Sequence, residues 1–388
     1  MNLNKNPLLL IVDDEPFNVD FLEQELEDMG YATISAANGE EALTQAAKAQ
    51  PDMILLDIMM PVMDGFEVLA KLKENPEQRD IPVIIISAAS DMGKVVKGIE
   101  MGAEDYLAKP FDPVLLQARI RAGLKNKQYK DIEKAYLKAL EREFEIGREM
   151  QAGFLPKNLP KIDGWEIASF FQPARNVAGD FYDVFEIAEE GKIGILVGDV
   201  CDKGVGAALY MTLFRSLVRA LFWNAGNSDG YDYAEKLSDV IAFVNTYICE
   251  IHDSASFATL FFGVLDKDSG HLEYVSAGHD PPIIVKDGEI KSWIKPTGPL
   301  VGMLEGVDYT AAGLTIGEEE TLFIFTDGLV DSLNANMEQF GQSRFEKLLT
   351  QSASDLQQKV TEIRVEVSNF IGKANQFDDL TLVAIRKS

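Results

Sequence analysis

Five short apolar runs, at residues 8–12, 32–36, 53–56, 83–86 and 106–108, alternate with helix-like stretches through the first third of the chain. Those stretches fall at about 17–29, 40–49, 66–73, 94–101 and 114–124. In the first, Phe21, Leu22, Leu26 and Met29 recur at helical spacing, with acids on the opposite face. Alternation this dense has one economical solution. Each helix is a crossover between parallel strands, giving a doubly wound α/β domain with a five-stranded parallel sheet. In such sheets the chemistry lies beyond the carboxyl ends of the strands.

Those ends carry the informative residues. The first run stops at Asp13-Asp14, the third at Asp57 and the fourth at Ser87, and the fifth leads into Lys109-Pro110. Three carboxylates brought to one edge repel each other unless a cation neutralises them, and hard oxygen ligands of this kind suit Mg²⁺. A lysine and a hydroxyl beside them supply donors for the oxygens of a phosphoryl group. Together with the segments ILLDIMMPVMDGFEVL, IISAAS and GAEDYLAKPF, these residues resemble the response-regulator receiver family. The resemblance implies a flavodoxin-like receiver domain over residues 1–124 with Asp57 as the phosphoacceptor. It further implies Mg²⁺ held by Asp13, Asp14, Asp57 and the backbone carbonyl of Met59. Ser87 and Tyr106 match the family's switch pair, and Lys109 its phosphate contact. A sensor histidine kinase or a phosphotransfer protein is the implied partner.

From residue 112 to residue 154, Glu, Lys, Ala and Leu dominate, and the spacing predicts one long helix. Leu137, Leu140, Phe144, Gly147 and Phe154 form one stripe, and Ile132, Tyr136, Ala139, Ile146 and Met150 a second. Two offset stripes suit a short coiled coil, so residues 125–156 are expected to form a helical coiled-coil linker that makes a homodimer, the alternative being a single helix packed on the domain that follows it. Pro156 disfavours helix in the residue before it, which ends the segment.

The remainder, 157–388, is richer in strands. Runs at 193–197, 258–265, 272–277, 283–286, 322–326 and 380–385 read as extended, with hairpin signals at 267–270 and Asp287-Gly288. Residues 207–222 are apolar nearly all round and predict a buried helix, with further helices at 233–249 and about 355–371. Strands in hairpins beside a few long helices imply an α+β fold, a β-sandwich flanked by helices.

Acids sit where these strands end. Asp180 and Asp183 flank two aromatics, Asp199 and Asp327 close apolar strands, and Asp378-Asp379 opens the last one. A carboxylate beside the core is costly without a counter-charge. The histidines are His252, His271 and His279 and there is no CxxC, so zinc is disfavoured and an all-oxygen site for Mg²⁺ or Mn²⁺ is expected. Two ions sharing one aspartate can activate water and clamp a phosphoryl group.

The order of the motifs REMQAGFLP, PARNVAGDFYD, GDVCDKGVGAALYM, FATLFFGVLD, YVSAGHDPP, TGPLVGM, FTDGLVDS and FDDLTLVAI resembles the metal-dependent protein serine/threonine phosphatases of the SpoIIE/RsbU branch. The resemblance implies two Mn²⁺ or Mg²⁺ ions, with Asp199 as bridging ligand and Val200 offering its carbonyl. Asp180, Asp327 and Asp378 are the other implied ligands, and Asp183 and Asp379 the acids that orient them. Arg175, the local candidate for a phosphate-gripping arginine, reads as a surface residue, and His279 as a hydrogen-bonding core residue. Ala178, Cys201-Asp202 and Asp331 depart from the branch's usual residues without removing a ligand. The implied substrate is a phosphorylated STAS-type anti-sigma-factor antagonist. A non-enzymatic adaptor with a phosphatase-like binding domain is the alternative, and loss of the aspartates would mark it.

Net charge narrows the partners. At −27 over 388 residues, with both the first 125 residues and the part after 160 acidic, the chain would repel nucleic acid and anionic membranes. Two cysteines, Cys201 and Cys249, make no disulfide framework. The apolar stretch 209–223 is interrupted by Arg215 and Arg219, so no membrane span is expected and the location is expected to be cytoplasmic.

Overall fold

A computed structural model describes residues 6–88, 92–187, 191–224, 232–251 and 257–388, and His252 lies outside them. Two compact units divide the chain, Met1–Leu140 and Glu141–Ser388.

The first unit runs β1 (Leu8–Val12), α1 (Pro16–Asp28), β2 (Ala32–Ala36), α2 (Gly39–Ala49), β3 (Met53–Asp57), α3 (Gly65–Glu74), β4 (Val83–Ala88), α4 (Met92–Glu100) and β5 (Asp105–Lys109). The strands pair in parallel in the order β2-β1-β3-β4-β5, the doubly wound sheet that the alternation implies. Leu10, Val12, Ile54, Leu56, Val83 and Ile85 pack into one core. Their neighbours Leu9, Ile11, Met53, Leu55, Ile84 and Ile86 pack into the other. Burial on both faces is why β1, β3 and β4 are continuous apolar runs up to their carboxyl ends. Crossovers leave β1 and β3 in opposite directions, so a crevice opens between their carboxyl ends. Asp64 and Glu67 form a capping box that starts α3 just after β3.

α5 (Pro113–Ala152) is a single helix of 40 residues. The Asp112 carboxylate accepts from the Val114 and Leu115 N–H groups and caps its start. Ile132, Tyr136, Leu137, Ile146 and Met150 stand exposed along it.

The second unit stacks two antiparallel five-stranded sheets. One has the order β13-β10-β9-β8-β7, from β7 (Phe181–Ile187), β8 (Lys192–Val200), β9 (Ala258–Asp266), β10 (His271–Ala277) and β13 (Ala312–Thr315). The other is β12-β11-β14-β15-β6, from β6 (Trp165–Gln172), β11 (Ile283–Lys286), β12 (Glu289–Trp293), β14 (Thr321–Phe325) and β15 (Leu380–Lys387). Between the sheets lie Val184, Ile193, Ile195, Val197, Phe261, Leu322, Ile324 and Val383. Alternate residues point outward. Phe181, Phe185, Leu196 and Phe262 meet α6 (Val205–Asn224) and α7 (Tyr233–Ile251). Phe323, Phe325 and Leu382 meet α8 (Gln342–Thr350) and α9 (Leu356–Ile371). The result is a sandwich flanked by helices on both faces, as the sequence implies.

Two local expectations need correction. β6, β7, β12 and β13 were not legible as strands. Apart from β7, they are half-exposed and mix polar with apolar residues, so their period is weak. α6 is not buried all round. Met211, Phe214, Val218 and Phe222 are buried, each worth roughly 1.5–3 kcal/mol of transfer free energy, but Val205, Leu209 and Trp223 are exposed, because the sheet and α7 cover only one side. Among the described residues, 205–223 is the one helix long and apolar enough to cross a membrane by length and composition. Its buried side packs on a sheet, and its two arginines pair with a buried acid, which accounts for that composition.

Candidate functional site

The first unit gathers its expected residues at the β1/β3 crevice. Asp13 and Asp57 are buried and Asp14 is exposed, and ligand atoms from the three lie within 4.8 Å of one another. The Lys109 ammonium, at the end of β5, donates to Asp57 Oδ2 at 2.7 Å and to Asp13 Oδ2 at 2.8 Å. Burial raises the Asp57 pKa above the usual carboxylate range, the Lys109 bond and charge oppose this, and the Asp13 charge adds to it. Met59, an exposed residue just past Asp57, brings its backbone to the same loop and donates its N–H to Asp57 Oδ1 at 3.4 Å. Ser87 is buried on β4, one strand from Asp57. Tyr106 is half-buried on β5, under the Arg119 guanidinium. Sequence reasoning missed Asn18. Its amide, on the first turn of α1, donates to both Asp13 oxygens at 3.1 Å and fixes that carboxylate.

In the second unit, antiparallel pairing assembles the acids. β7 begins where β8 ends, with Phe181 opposite Gly198, so Asp180 and Asp199 emerge at one edge of the first sheet. β15 begins where β14 ends, with Leu382 opposite Phe325, so Asp378, Asp379 and Asp327 emerge at one edge of the second. The two edges meet. Asp180 Oδ2 accepts from the Thr326 hydroxyl at 2.7 Å and from the Thr381 hydroxyl at 2.5 Å, across the sandwich. Asp379 accepts from the N–H groups of Ala174, Gly179 and Asp180, which holds the loop before β7 against the start of β15. Gly179 is required there: a Cβ would come 2.8 Å from the Val200 carbonyl oxygen.

Electrostatics report the crowding. Burial, then the Asp199 and Asp379 charges, push the Asp180 carboxyl well above the usual range. Asp199 is pushed up to about 7 by burial and the Asp327 charge, with Asp378 and Asp379 adding and a hydrogen bond to Asp180 opposing. Asp327 is pushed up to about 6 by burial and by Asp280, Asp378 and Asp331. Asp199 therefore feels Asp180, Asp327, Asp378 and Asp379 together. Among the described residues these acids make no group of three with ligand atoms within 4.8 Å of one another; the first unit's triad is the one such group.

Asp183 does not join them. It points to the helix side with Phe181 and Phe185, where Arg215 and Arg219 of α6 bind it at 2.8 and 2.6 Å. Two acids three apart look alike in sequence, but one precedes the strand and the other faces its packed side. Arg175 is exposed. His279 is buried, bonded through Nδ1 to the Thr259 hydroxyl at 2.9 Å, and burial lowers its pKa to about 3, so it is neutral. Asp280, the next residue, was missed. The Gly-His-Asp-Pro-Pro string reads as a turn, yet its charge bears on Asp327.

Comparison with known proteins identifies both units. The model for stage II sporulation protein E (SpoIIE) matches residues 189–388. The chain belongs to the SpoIIE family. The response regulator receiver domain model matches residues 9–121, ahead of the SpoIIE domain. Protein IcfG of Synechocystis sp. is 38% identical over 264 residues, covering 63% of this chain and 42% of IcfG. Response regulator PleD of Caulobacter vibrioides is 48% identical over 114 residues, 29% of this chain and 25% of PleD. The chain thus spans less than half the length of these relatives. The solved SiaA-PP2C domain of Pseudomonas aeruginosa shares the fold of the SpoIIE domain, with a TM-score of 0.55 at 20% identity, covering 66% of this chain and 99% of that one.

Proposed function

We propose that this chain is a response regulator whose phosphorylated receiver controls a metal-dependent phosphoserine/phosphothreonine protein phosphatase. The observation that carries the reading is the convergence of Asp180, Asp199, Asp327 and Asp378 from two sheets on one edge. The donor set fits hard divalent cations. The converging side chains are carboxylates, and burial raises the Cys201 thiol pKa, which keeps it protonated. Two Mn²⁺ or Mg²⁺ ions would be held by Asp180, Asp199, Asp327 and Asp378 with the Val200 carbonyl, Asp199 being shared. When bound, they supply Lewis-acid polarisation of a phosphoryl group and an activated water. The protein's part is placement. The Thr326 and Thr381 hydroxyls aim Asp180, and Asp379 pins the loop that carries it.

In the receiver, Asp57 is the proposed phosphoacceptor, with Mg²⁺ on Asp13, Asp14, Asp57 and the Met59 carbonyl. Lys109, already between the two buried acids, contacts the phosphoryl group, and Ser87 and Tyr106 respond to it. The donor is a sensor histidine kinase or phosphotransfer protein, and the substrate a phosphorylated STAS-type anti-sigma-factor antagonist in a partner-switching pathway. The exposed apolar residues of α5 suit a coiled-coil homodimer. The setting is cytoplasmic.

The test is hydrolysis of an aryl phosphate and of the phosphorylated antagonist, with Mn²⁺ and with EDTA. Asp199→Ala and Asp327→Ala should abolish Mn²⁺-dependent turnover and keep the fold, because neither side chain contributes to core packing. Wild-type rates in either variant would refute the binuclear reading. Asp379→Asn should be milder, a loss of about 10–100-fold, since it acts through the loop.

A further inference from the structure

Lys203 stands four residues after Asp199, between two residues with left-handed backbone: φ is 77° at Asp202 and 90° at Gly204. Its backbone N–H donates to the Asp202 carboxylate at 2.8 Å, which fixes the turn that carries it. The ammonium lies 2.8 Å from Asp378 Oδ2, donates to the Phe377 carbonyl at 2.6 Å, and sits 3.9 Å from the centre of the Phe377 ring. The other carboxylate oxygen, Oδ1, accepts the Asp379 N–H at 2.9 Å. Both oxygens of Asp378 therefore have partners, and one partner is a cation. A divalent ion that takes Asp378 as a ligand must compete with that ammonium.

The competition is winnable. The two side chains are 26% and 28% exposed, and a pair this open to water is worth a few tenths to about 1 kcal/mol. A lysine is a compact point charge on a flexible four-carbon stem, so leaving one carboxylate for a nearby anion costs little reorganisation. A phosphate monoester dianion approaching this cluster of carboxylates needs a cationic donor, and an ammonium released from Asp378 is already at the edge where the acids converge. Arg175, the sequence candidate for that task, is exposed.

We propose that Lys203 is a resident counter-cation with two exclusive positions. In one it holds Asp378 against a divalent ion; in the other, with Asp378 taken, it contacts the phosphoryl oxygens of the substrate. The inference rests on the metal-dependent phosphatase reading and extends it. Its consequence is a pair of effects of opposite sign: removing the ammonium should tighten metal binding and weaken phosphate binding. A lysine that merely braced the loop would weaken both.

The experiment uses the full chain carrying Asp13→Asn, Asp14→Asn and Asp57→Asn, which removes all three receiver carboxylates, with and without Lys203→Met. Calorimetric titration with Mn²⁺ should show binding roughly two- to fivefold tighter in Lys203→Met. Inorganic phosphate, titrated into the Mn²⁺-loaded protein, should bind about tenfold more weakly. In an Asp378→Asn background the Lys203→Met change should no longer alter Mn²⁺ affinity, because the shared partner is gone. Lys203→Gln replaces the methionine variant if a thermal melt shows that methionine unfolds the loop. Unchanged or weaker Mn²⁺ binding overturns the proposal, as does unchanged phosphate binding. Failure of the parent reading is separate: it shows as no Mn²⁺ binding in the protein that keeps Lys203.

Discussion

Gly179→Ala puts the convergence of the two sheets to a quantitative test. The added Cβ would lie 2.8 Å from the Val200 carbonyl oxygen and 3.4 Å from the Ala207 Cβ. The first contact falls short of ordinary van der Waals separation by about half an ångström. Neither side yields easily. Gly179 is tied by its N–H to Asp379 at 2.7 Å, and Val200 is buried at the end of a central strand. Overpacking of this kind costs about 1–3 kcal/mol, and each kcal/mol lowers the melting temperature by about 2–4 °C in a domain of this size. The oxygen displaced is the carbonyl proposed as a metal ligand. A shift approaching 1 Å at a reacting centre costs on the order of 100-fold, so half of that should cost roughly tenfold in Mn²⁺-dependent turnover. Differential scanning calorimetry and an aryl-phosphate assay read both effects. An alanine variant with the parent's melting temperature and rate would show that the loop and strand are not in contact, and the geometric argument would fail.

Three further outcomes are expected. Acetyl phosphate with Mg²⁺ should label the protein at Asp57, and label that persists in Asp57→Ala, read by intact-mass spectrometry, would refute the assignment. Asp199 and Asp327 have folded pKa values of about 7 and 6, above the unfolded value, so their contribution to stability is fully present below about pH 4 and is lost as pH rises through 6 to 7. Mn²⁺ should therefore raise the melting temperature more at pH 8 than at pH 5.5, with proton release on binding, and an equal increment at both pH values would contradict that sign. Leu140→Glu with Phe144→Glu should weaken dimerisation in sedimentation and uncouple receiver phosphorylation from phosphatase rate; a double variant still dimeric and responsive would make α5 a passive spacer.

The sequence carries the receiver almost completely, because four of the five strand ends are marked by a change from apolar run to acid, hydroxyl or lysine. Asp13, Asp57 and Lys109 needed no more than that. The second domain is legible at β8, β14 and β15, which are buried on both faces and so read as continuous apolar runs ending or opening at Asp199, Asp327 and Asp378. It is less legible at β6, whose exposed positions blur the pattern. Partners across the sheets are invisible in one dimension. Nothing local says that Thr326 and Thr381 bind Asp180, or that Asp183 turns toward two arginines of α6. The surface of α6 misled for a related reason: its composition is that of a core helix, but only a sheet and one neighbouring helix are there to cover it.

The central claim is that one domain governs the chemistry of the other, and a single rate comparison reaches it. Mn²⁺-dependent dephosphorylation of a phosphoserine protein is measured before and after acetyl phosphate treatment, in the parent chain and in Asp57→Ala. The account expects treatment to change the rate in the parent and not in Asp57→Ala, with both rates abolished by EDTA. A rate that survives EDTA, or that responds equally in the two proteins, would contradict it.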